Sequence, residues 1–319
     1  MNNNTKYQLE AFSAIGSLLH SLPEDQFHAL LKARKVILFG LLCEQRLDLL
    51  LENYAELEKY LLNLALQNSI FRGPASSIRL REGRHSINRY LSNLLSSARL
   101  YLDQTDHALK EQFGESSSCY ERYHNERKRE YDDSAAFKSF EALRNHVQHC
   151  GLPAHSIKFF SVVDEAKAND NKAGDKFVPP HTRNRHVVTF SVIPENLKEN
   201  KRFNKRGLDA LRSLANDKGK VDLMPLIREY VNSIASIHQS VRMSTSSALE
   251  DADQLVNRLF TAIYSCYGQI STSGKIWALT NESVSNAVPI DLEWIEERRA
   301  FVEKNAYSSN LKYHYASSQ

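Results

Sequence analysis

Cysteine is scarce in this chain, and the four present, Cys43, Cys119, Cys150 and Cys266, are widely scattered with no CxxC pair. That excludes a disulfide framework or a zinc ribbon and fits a reducing cytoplasm. Long apolar runs are also missing. Residues 36–43 are apolar but too few to cross a bilayer, and Glu44, Arg46 and Asp48 follow at once. Residues 1–22 begin rich in asparagine and are interrupted by Glu10, Ser13, Ser17 and His20, so they read as neither a signal peptide nor a membrane span. A dominant charge is lacking too. Net charge is +3, so the overall balance neither demands nor excludes a polyanionic partner. There is no P-loop, no G-x-G-x-x-G, no H-E-x-x-H and no G-x-S-x-G.

What is present is ordinary globular material. Hydrophobic residues make up 42% and charged residues 25% of 319 positions, enough to bury a core or two. The first half patterns as helices. Residues 7–22 read as a short helix stopped by Pro23. A long helix follows to Asn68, with Leu47, Leu50, Leu51, Tyr54, Leu57, Leu61 and Leu64 on one stripe. Arg72-Gly73-Pro74 breaks the pattern, and the basic stretch with Arg79, Arg81 and Arg84 reads as irregular. From Ser86 a third helix carries Ile87, Tyr90, Leu91, Leu94, Ala98, Tyr101 and Leu102 on one side and ends at Gly114. Residues 115–130 are a loop or an exposed helix containing Arg127, Lys128 and Arg129. Asp133 or Ser134 then caps a helix with the buried stripe Phe137, Phe140, Leu143 and Val147, stopped by Gly151 and Pro153.

After Pro153 the texture changes. Residues 156–163 and 186–193 are rich in Val, Phe and Ile and read as two strands of a β-hairpin within 156–194. Helical periodicity returns over 205–267, broken near 243–247. A strand at 276–279 and a helix over 292–304 close the pattern. The expected fold is mainly α: a helical bundle over 1–153, then a smaller α+β region over 154–319.

The residues that suggest chemistry are Arg144, Asn145 and His149, in the last turns of the helix before Gly151. At 100° per residue Arg144 falls beside Phe140, on the apolar side, where an unpaired cation is costly and an anion should meet it. Asn145 and His149 are one turn apart, so the amide can support the imidazole, and the negative helix end favours a protonated His149. A histidine titrating near neutrality can take the proton of a ribose 2′-OH or return one to a leaving 5′ oxygen. An arginine fork stabilises the charge on the phosphate between them. No metal or cofactor is needed. One histidine is too few for both proton transfers, so a two-fold dimer that joins two such helix ends is the natural completion. The bare R-x4-H spacing arises about once by chance in a chain with 12 histidines. Requiring the following Asn lowers that to about one in twenty.

The block Arg144-Asn145-x-x-x-His149, at the end of a bundle helix, resembles the R-x4-6-H motif of the HEPN superfamily (higher eukaryotes and prokaryotes nucleotide-binding). Leu143 to Pro153 as a whole is similar to a block in uncharacterised bacterial proteins. The resemblance covers about residues 86–153. It implies a metal-independent endoribonuclease with a dimeric site, Arg144 and His149 catalytic and Asn145 supporting. It also implies RNA as partner, a homodimer, and a toxin or phage-defence role with an antitoxin or other regulatory partner, in the cytoplasm and away from membranes. The chain departs from the small family toxins in its length and in the strand after the motif.

Other readings stand beside this one. The helix-end histidine could simply bond a carbonyl while Arg144 sits in an internal ion pair, with an acid such as Asp103. The superfamily fold also serves as a non-catalytic RNA-binding or protein-interaction module. His146, His149, Cys150 and His155 make a conceivable zinc cluster, although no second ligand cluster exists and His146 should face solvent. Arg79, Arg81, Arg84, Arg127, Lys128 and Arg129 are candidates to follow an RNA backbone, diluted by Glu82, Glu121, Glu126 and Glu130.

Overall fold

The computed structural model describes residues 5–13, 16–71, 77–149, 151–163, 184–198, 203–267, 272–280, 283–284, 287–311 and 313. The protein is mainly helical, with a smaller antiparallel part, as the residue patterns lead one to expect. By packing it divides into two compact units, and each is assembled from separate stretches of chain.

The first unit comprises Met1–Asp48, Tyr101–Glu126 and His238–Ala306. It opens with β1 (Lys6–Ser13) and β2 (Gly16–Leu22), an antiparallel hairpin with Ser13 opposite Gly16. This corrects the helix expected over 7–22. Leu9 and Ala11 are fully buried at a spacing of two, a strand period. The strand that β1 pairs with on its other side is β6 (Ser273–Thr280), far along the chain, with Leu9 opposite Ile276. β7 (Ser283–Val284) and β8 (Val288–Asp291) also pair with β6 and complete a five-stranded sheet. The sheet's core joins Leu9, Ile276 and Ile290 to Leu30 and Ile37 of α1 (Glu24–Ile70) and to Val256 and Phe260 of α7 (Leu223–Tyr267). Ile295 of α8 (Glu293–Lys304) closes it.

α7 runs unbroken through 243–247, where an interruption was expected. Ser244 and Thr245 return their hydroxyls to the Val241 carbonyl, at 3.0 and 2.9 Å, and Ser246 does the same to Met243 at 3.2 Å. The polar side chains are thus satisfied within the helix rather than competing with it. Pro225 sits in the first turn, where its missing N–H costs nothing.

The second unit comprises Leu49–Leu100, Arg127–Ile237 and Tyr307–Gln319. Residue 153 falls inside it. Its helical part draws on α1, α2 (Ser77–Phe113), the end of α3 (Ser118–Asp133), α4 (Ala135–His149) and α7. α2 starts well before Ser86, so Arg79, Arg81 and Arg84 lie in its first turns and not in an irregular segment. Arg72-Gly73-Pro74 lies outside the described residues. α2 stops at Phe113, and Gly114 adopts the left-handed φ of 87° that suits glycine after a helix end. β3 (Ser156–Val163) and β4 (Asn184–Val192) form the expected antiparallel pair, extended by β5 (Val221–Asp222) into a sheet of order β3-β4-β5. Two short helices follow β4: α5 (Pro194–Lys198) and α6 (Lys205–Ser213). α6 lies so close to α4 that a Cβ on Gly207 would stand 2.2 Å from the Ala142 Cβ. No other residue fits there without separating the helices.

Candidate functional site

α4 is positioned at its start by Ser134, whose hydroxyl accepts the Phe137 N–H at 3.0 Å and donates to Glu229 at 2.6 Å. Between the two capping candidates the structure selects Ser134. Phe137, Phe140 and Leu143 are buried as their spacing requires, and Val147 is half-buried. The ring of Tyr230, from α7, stacks on Phe140 with centroids 5.1 Å apart. At the far end α4 stops at His149, and the Gly151 N–H reaches back to the His146 carbonyl at 3.2 Å. Gly151 is not among the glycines with positive φ. The chain beyond it is clamped by Asn88 of α2. That buried amide donates to the Ala154 carbonyl at 3.1 Å and accepts the Ala154 N–H at 2.9 Å.

Arg144 is half-buried, as its place beside Phe140 requires. The anion expected to meet it is not there: among the described residues its hydrogen bond is to a neutral amide, from Nη1 to Gln148 Oε1 at 3.1 Å. Its Nε is buried with no hydrogen-bond partner. The nearest acid one turn back, Glu141, is engaged elsewhere. It accepts the Tyr230 hydroxyl at 3.0 Å and lies 3.8 Å from Arg99. Burial, then the Glu141 charge, pushes the Tyr230 phenol well above its ordinary range, and the positive charges of Arg144 and Arg127 partly offset this. Arg127 and Arg144 therefore share an environment. Lys128 and Arg129 are exposed, with Arg129 3.5 Å from Glu130.

Asn145 is exposed. The backbone of His149 closes α4; its side chain and all of Cys150 lie outside the described residues. His146, expected to face solvent, is instead buried, with its ring edge-on to Phe203 at 5.8 Å. α4 is covered there by the segment leading into α6, a tertiary contact the helix pattern does not reveal. Burial holds the imidazole of His146 below its ordinary range. His155 is lowered first by burial and then by the charges of His146 and Arg84. The Nδ1 of His155 accepts the Ile193 N–H at 3.0 Å, so its neutral ring carries the proton on Nε2. His155 lines a hollow of about 380 Å³ with Arg81, Arg84, Ser156 and Ile157. Arg84 donates to the His155 carbonyl at 3.2 Å, and the Arg79 guanidinium lies 5.7 Å from the centre of the Phe159 ring. The first basic group is thus brought to the segment that follows the motif.

A second polar cluster, which the sequence gives no reason to assemble, lies in the first unit. Tyr101 and His238 Nδ1 are 2.9 Å apart, and His238 Nε2 and Glu44 Oε1 are 3.1 Å apart. Arg242 grips both oxygens of Glu44, at 2.7 and 2.5 Å. An ionised Glu44 accepts a hydrogen bond from His238 Nε2–H, so Nδ1 accepts from the Tyr101 hydroxyl. Burial by itself would raise the Glu44 carboxyl, but hydrogen bonds from Arg242 and His238 and their charges outweigh it and hold it at about 2. Burial lowers His238 more than Glu44 raises it. A cavity of about 480 Å³ runs from this cluster to Asp253, Arg298 and Arg299. Arg298 contacts Asp253 at 2.5 Å and Arg299 does so at 3.5 Å. The two buried carboxylates, Glu44 and Asp253, each have an arginine. That is the arrangement of an internal ion cluster, whereas Arg144 is a cation with capacity to spare. The i, i+4 spacing of His238 and Arg242 was readable on α7; Glu44, 194 residues from His238, was not.

Among the described residues no three His, Cys, Asp or Glu side chains are grouped as metal ligands, and no helix is long and apolar enough to cross a membrane. No protein-family model matches the chain, and neither a curated protein sequence nor a solved structure gives a significant match.

Proposed function

We propose that the protein is a metal-independent endoribonuclease of HEPN type, acting through Arg144, Asn145 and His149 at the end of α4. The observation that carries this reading is the state of Arg144: a half-buried cation on the apolar side of its helix, with Glu141, the acid one turn back, engaged by Tyr230 and Arg99. Its own partner is a neutral amide. A phosphate supplies the charge that this position lacks.

In the reaction the ribose 2′ oxygen bonds to phosphorus as a histidine takes its proton. The bond from phosphorus to the 5′ oxygen breaks as a second histidine protonates that oxygen. The products are a 2′,3′-cyclic phosphate and a 5′-hydroxyl. Two histidines require two copies of His149, so the site is built from two chains across a two-fold axis, with the paired Arg144 guanidiniums on the non-bridging oxygens. Asn145, exposed one turn before His149, orients its ring. Such cleavage suits growth arrest or phage defence in the cytoplasm, under an antitoxin or other regulator.

The test uses end-labelled RNAs in the presence of a chelator. Wild type is expected to cut and to leave cyclic phosphate ends, while Arg144→Ala and His149→Ala are each expected to lose at least about a hundredfold in rate. Cutting that stops on adding chelator, cutting that survives His149→Ala, or full activity in a strictly monomeric protein would each overturn the reading.

A further inference from the structure

The polar face of the β3-β4-β5 sheet is used by neither the motif nor the ion clusters. The register places Ser156 opposite Ser191, Lys158 opposite Thr189 and Phe160 opposite Val187, and puts Asp222 of β5 opposite Ser191. One face therefore carries Ser156, Lys158, Phe160, Val187, Thr189 and Ser191, since side chains directly opposite each other share a face. The other face holds the fully buried Val188, Phe190 and Val192 that anchor the sheet.

Phe160 is 43% exposed on this face, opposite the buried Val187, and Lys158 is exposed beside it. The Ser156 and Ser191 hydroxyls stand 2.7 Å apart, and the Lys220 ammonium reaches Ser156 Oγ at 3.5 Å. Lys158, Phe160, Ser191 and Lys220 line a hollow of about 660 Å³ with Asn216 and Leu80, and Ser156 lines the smaller one beside it. Leu80 and Ile157 also wall the smaller hollow that holds Arg81, Arg84 and His155. Among the described residues lining the two hollows, Asp222 is the single acid, and its carboxylate accepts the Met224 N–H at 3.1 Å.

We infer that this sheet face and the adjoining arginine hollow form a track for single-stranded RNA. It rests on the ribonuclease reading and supplies that reading's substrate path. The chemistry matches on three counts. Arg81, Arg84, Lys158 and Lys220 face the phosphates. Phe160 offers an uncovered ring on which a splayed base stacks. The hydroxyl row of Ser156, Thr189 and Ser191 can both donate to and accept from base edges and the 2′-OH, which distinguishes RNA from DNA. A duplex hides its base faces and gains nothing from Phe160. The track leads toward the motif along the chain itself, because His155 lines it and shares an electrostatic environment with His146 of α4.

The experiment measures fluorescence anisotropy of a labelled single-stranded 12-mer RNA with the full chain carrying His149→Ala, which silences cleavage. Phe160→Ala is expected to weaken binding about tenfold. Lys158→Glu is expected to weaken it and to lower the slope of log affinity against log salt by about one. Both positions are exposed, so melting temperatures should stay within about 2 °C of the parent. Lys32→Glu, an exposed charge reversal in the first unit, is expected to leave binding unchanged. Undiminished binding by both track variants, equal binding of DNA or duplex RNA, or no RNA binding at all overturns the track. Cleavage by wild type together with any of these leaves the ribonuclease reading standing alone. Track-dependent binding without cleavage does the reverse.

Discussion

Replacing Glu44 by Gln perturbs a single atom and tests the electrostatics of the first unit directly. Three donors converge on this carboxylate, from His238 Nε2 and from Nε and Nη2 of Arg242. A carboxamide must set its own NH2 against one of them, and Arg242 loses its counter-charge. Two routes to the magnitude agree. Holding the carboxyl at about 2 against an ordinary 4.5 corresponds to about 3 kcal/mol of stability at neutral pH. Removing one partner of a buried pair costs about 3–5 kcal/mol, and the lower end applies because the Arg242 side chain is 18% exposed and can rehydrate. At about 3 °C per kcal/mol for a unit of this size, Glu44→Gln should lower the melting temperature of the first unit by about 9 °C at pH 7. The pH dependence gives a second readout. Because folding depresses the Glu44 pKa, its contribution is complete above 4.5 and is lost as pH falls toward about 2. The glutamine variant should lose less than wild type in that window. His238, also depressed by folding, adds a loss below its ordinary 6.5 in both proteins, because burial causes it and Glu44 opposes it. Calorimetry at several pH values measures all of this. A variant that melts within about 2 °C of wild type at pH 7, or keeps the wild-type slope between pH 4.5 and 2, refutes the account.

Gly207→Ala should destabilise the second unit by about 2–3 kcal/mol, because the new methyl meets the Ala142 Cβ. Ala142→Gly in the same chain should recover most of the loss by chemical denaturation, and a double variant no better than the single one would count against close packing as the cause. Asn88→Ala should cost about 2 kcal/mol, since it leaves the Ala154 N–H and C=O unpaired. Hydrogen exchange at residue 154 should rise while α3 stays protected. Among Cys43, Cys119 and Cys266, the exposed Cys266 should react first with a thiol reagent in the native protein. Cys43, whose thiol burial pushes up to about 12, should react only on unfolding. Mass spectrometry of the modified peptides reads the order, and early labelling of Cys43 would contradict its burial.

How much could be read without coordinates differs by element, for physical reasons. The stripes of α2 and α4 were legible because a helix buries positions fixed by its own geometry, and Leu91, Leu94, Phe137 and Phe140 are indeed buried. Residues 7–22 misled because their short apolar pattern fits two periods, and a distant strand decides between them. In the candidate site, the place of Arg144 on the apolar side followed from angles along one helix. That its neighbouring acid is spoken for by Tyr230 and Arg99 did not, because those partners come from other helices. The burial of His146 was hidden for the same reason.

The pairing of β1 with β6 has a consequence during biosynthesis. Thr5 and Thr280 exchange a hydrogen bond across 275 residues of chain. A ribosome adding about 10 residues each second needs roughly half a minute to bring the second to the first. Through that interval the edge of β1 that β6 later occupies stays open, with its backbone donors and acceptors unpaired. The first unit can therefore close only once β6 has been made, and a nascent chain abandoned before residue 273 leaves the ribosome with an adhesive strand edge for chaperones and proteases to find.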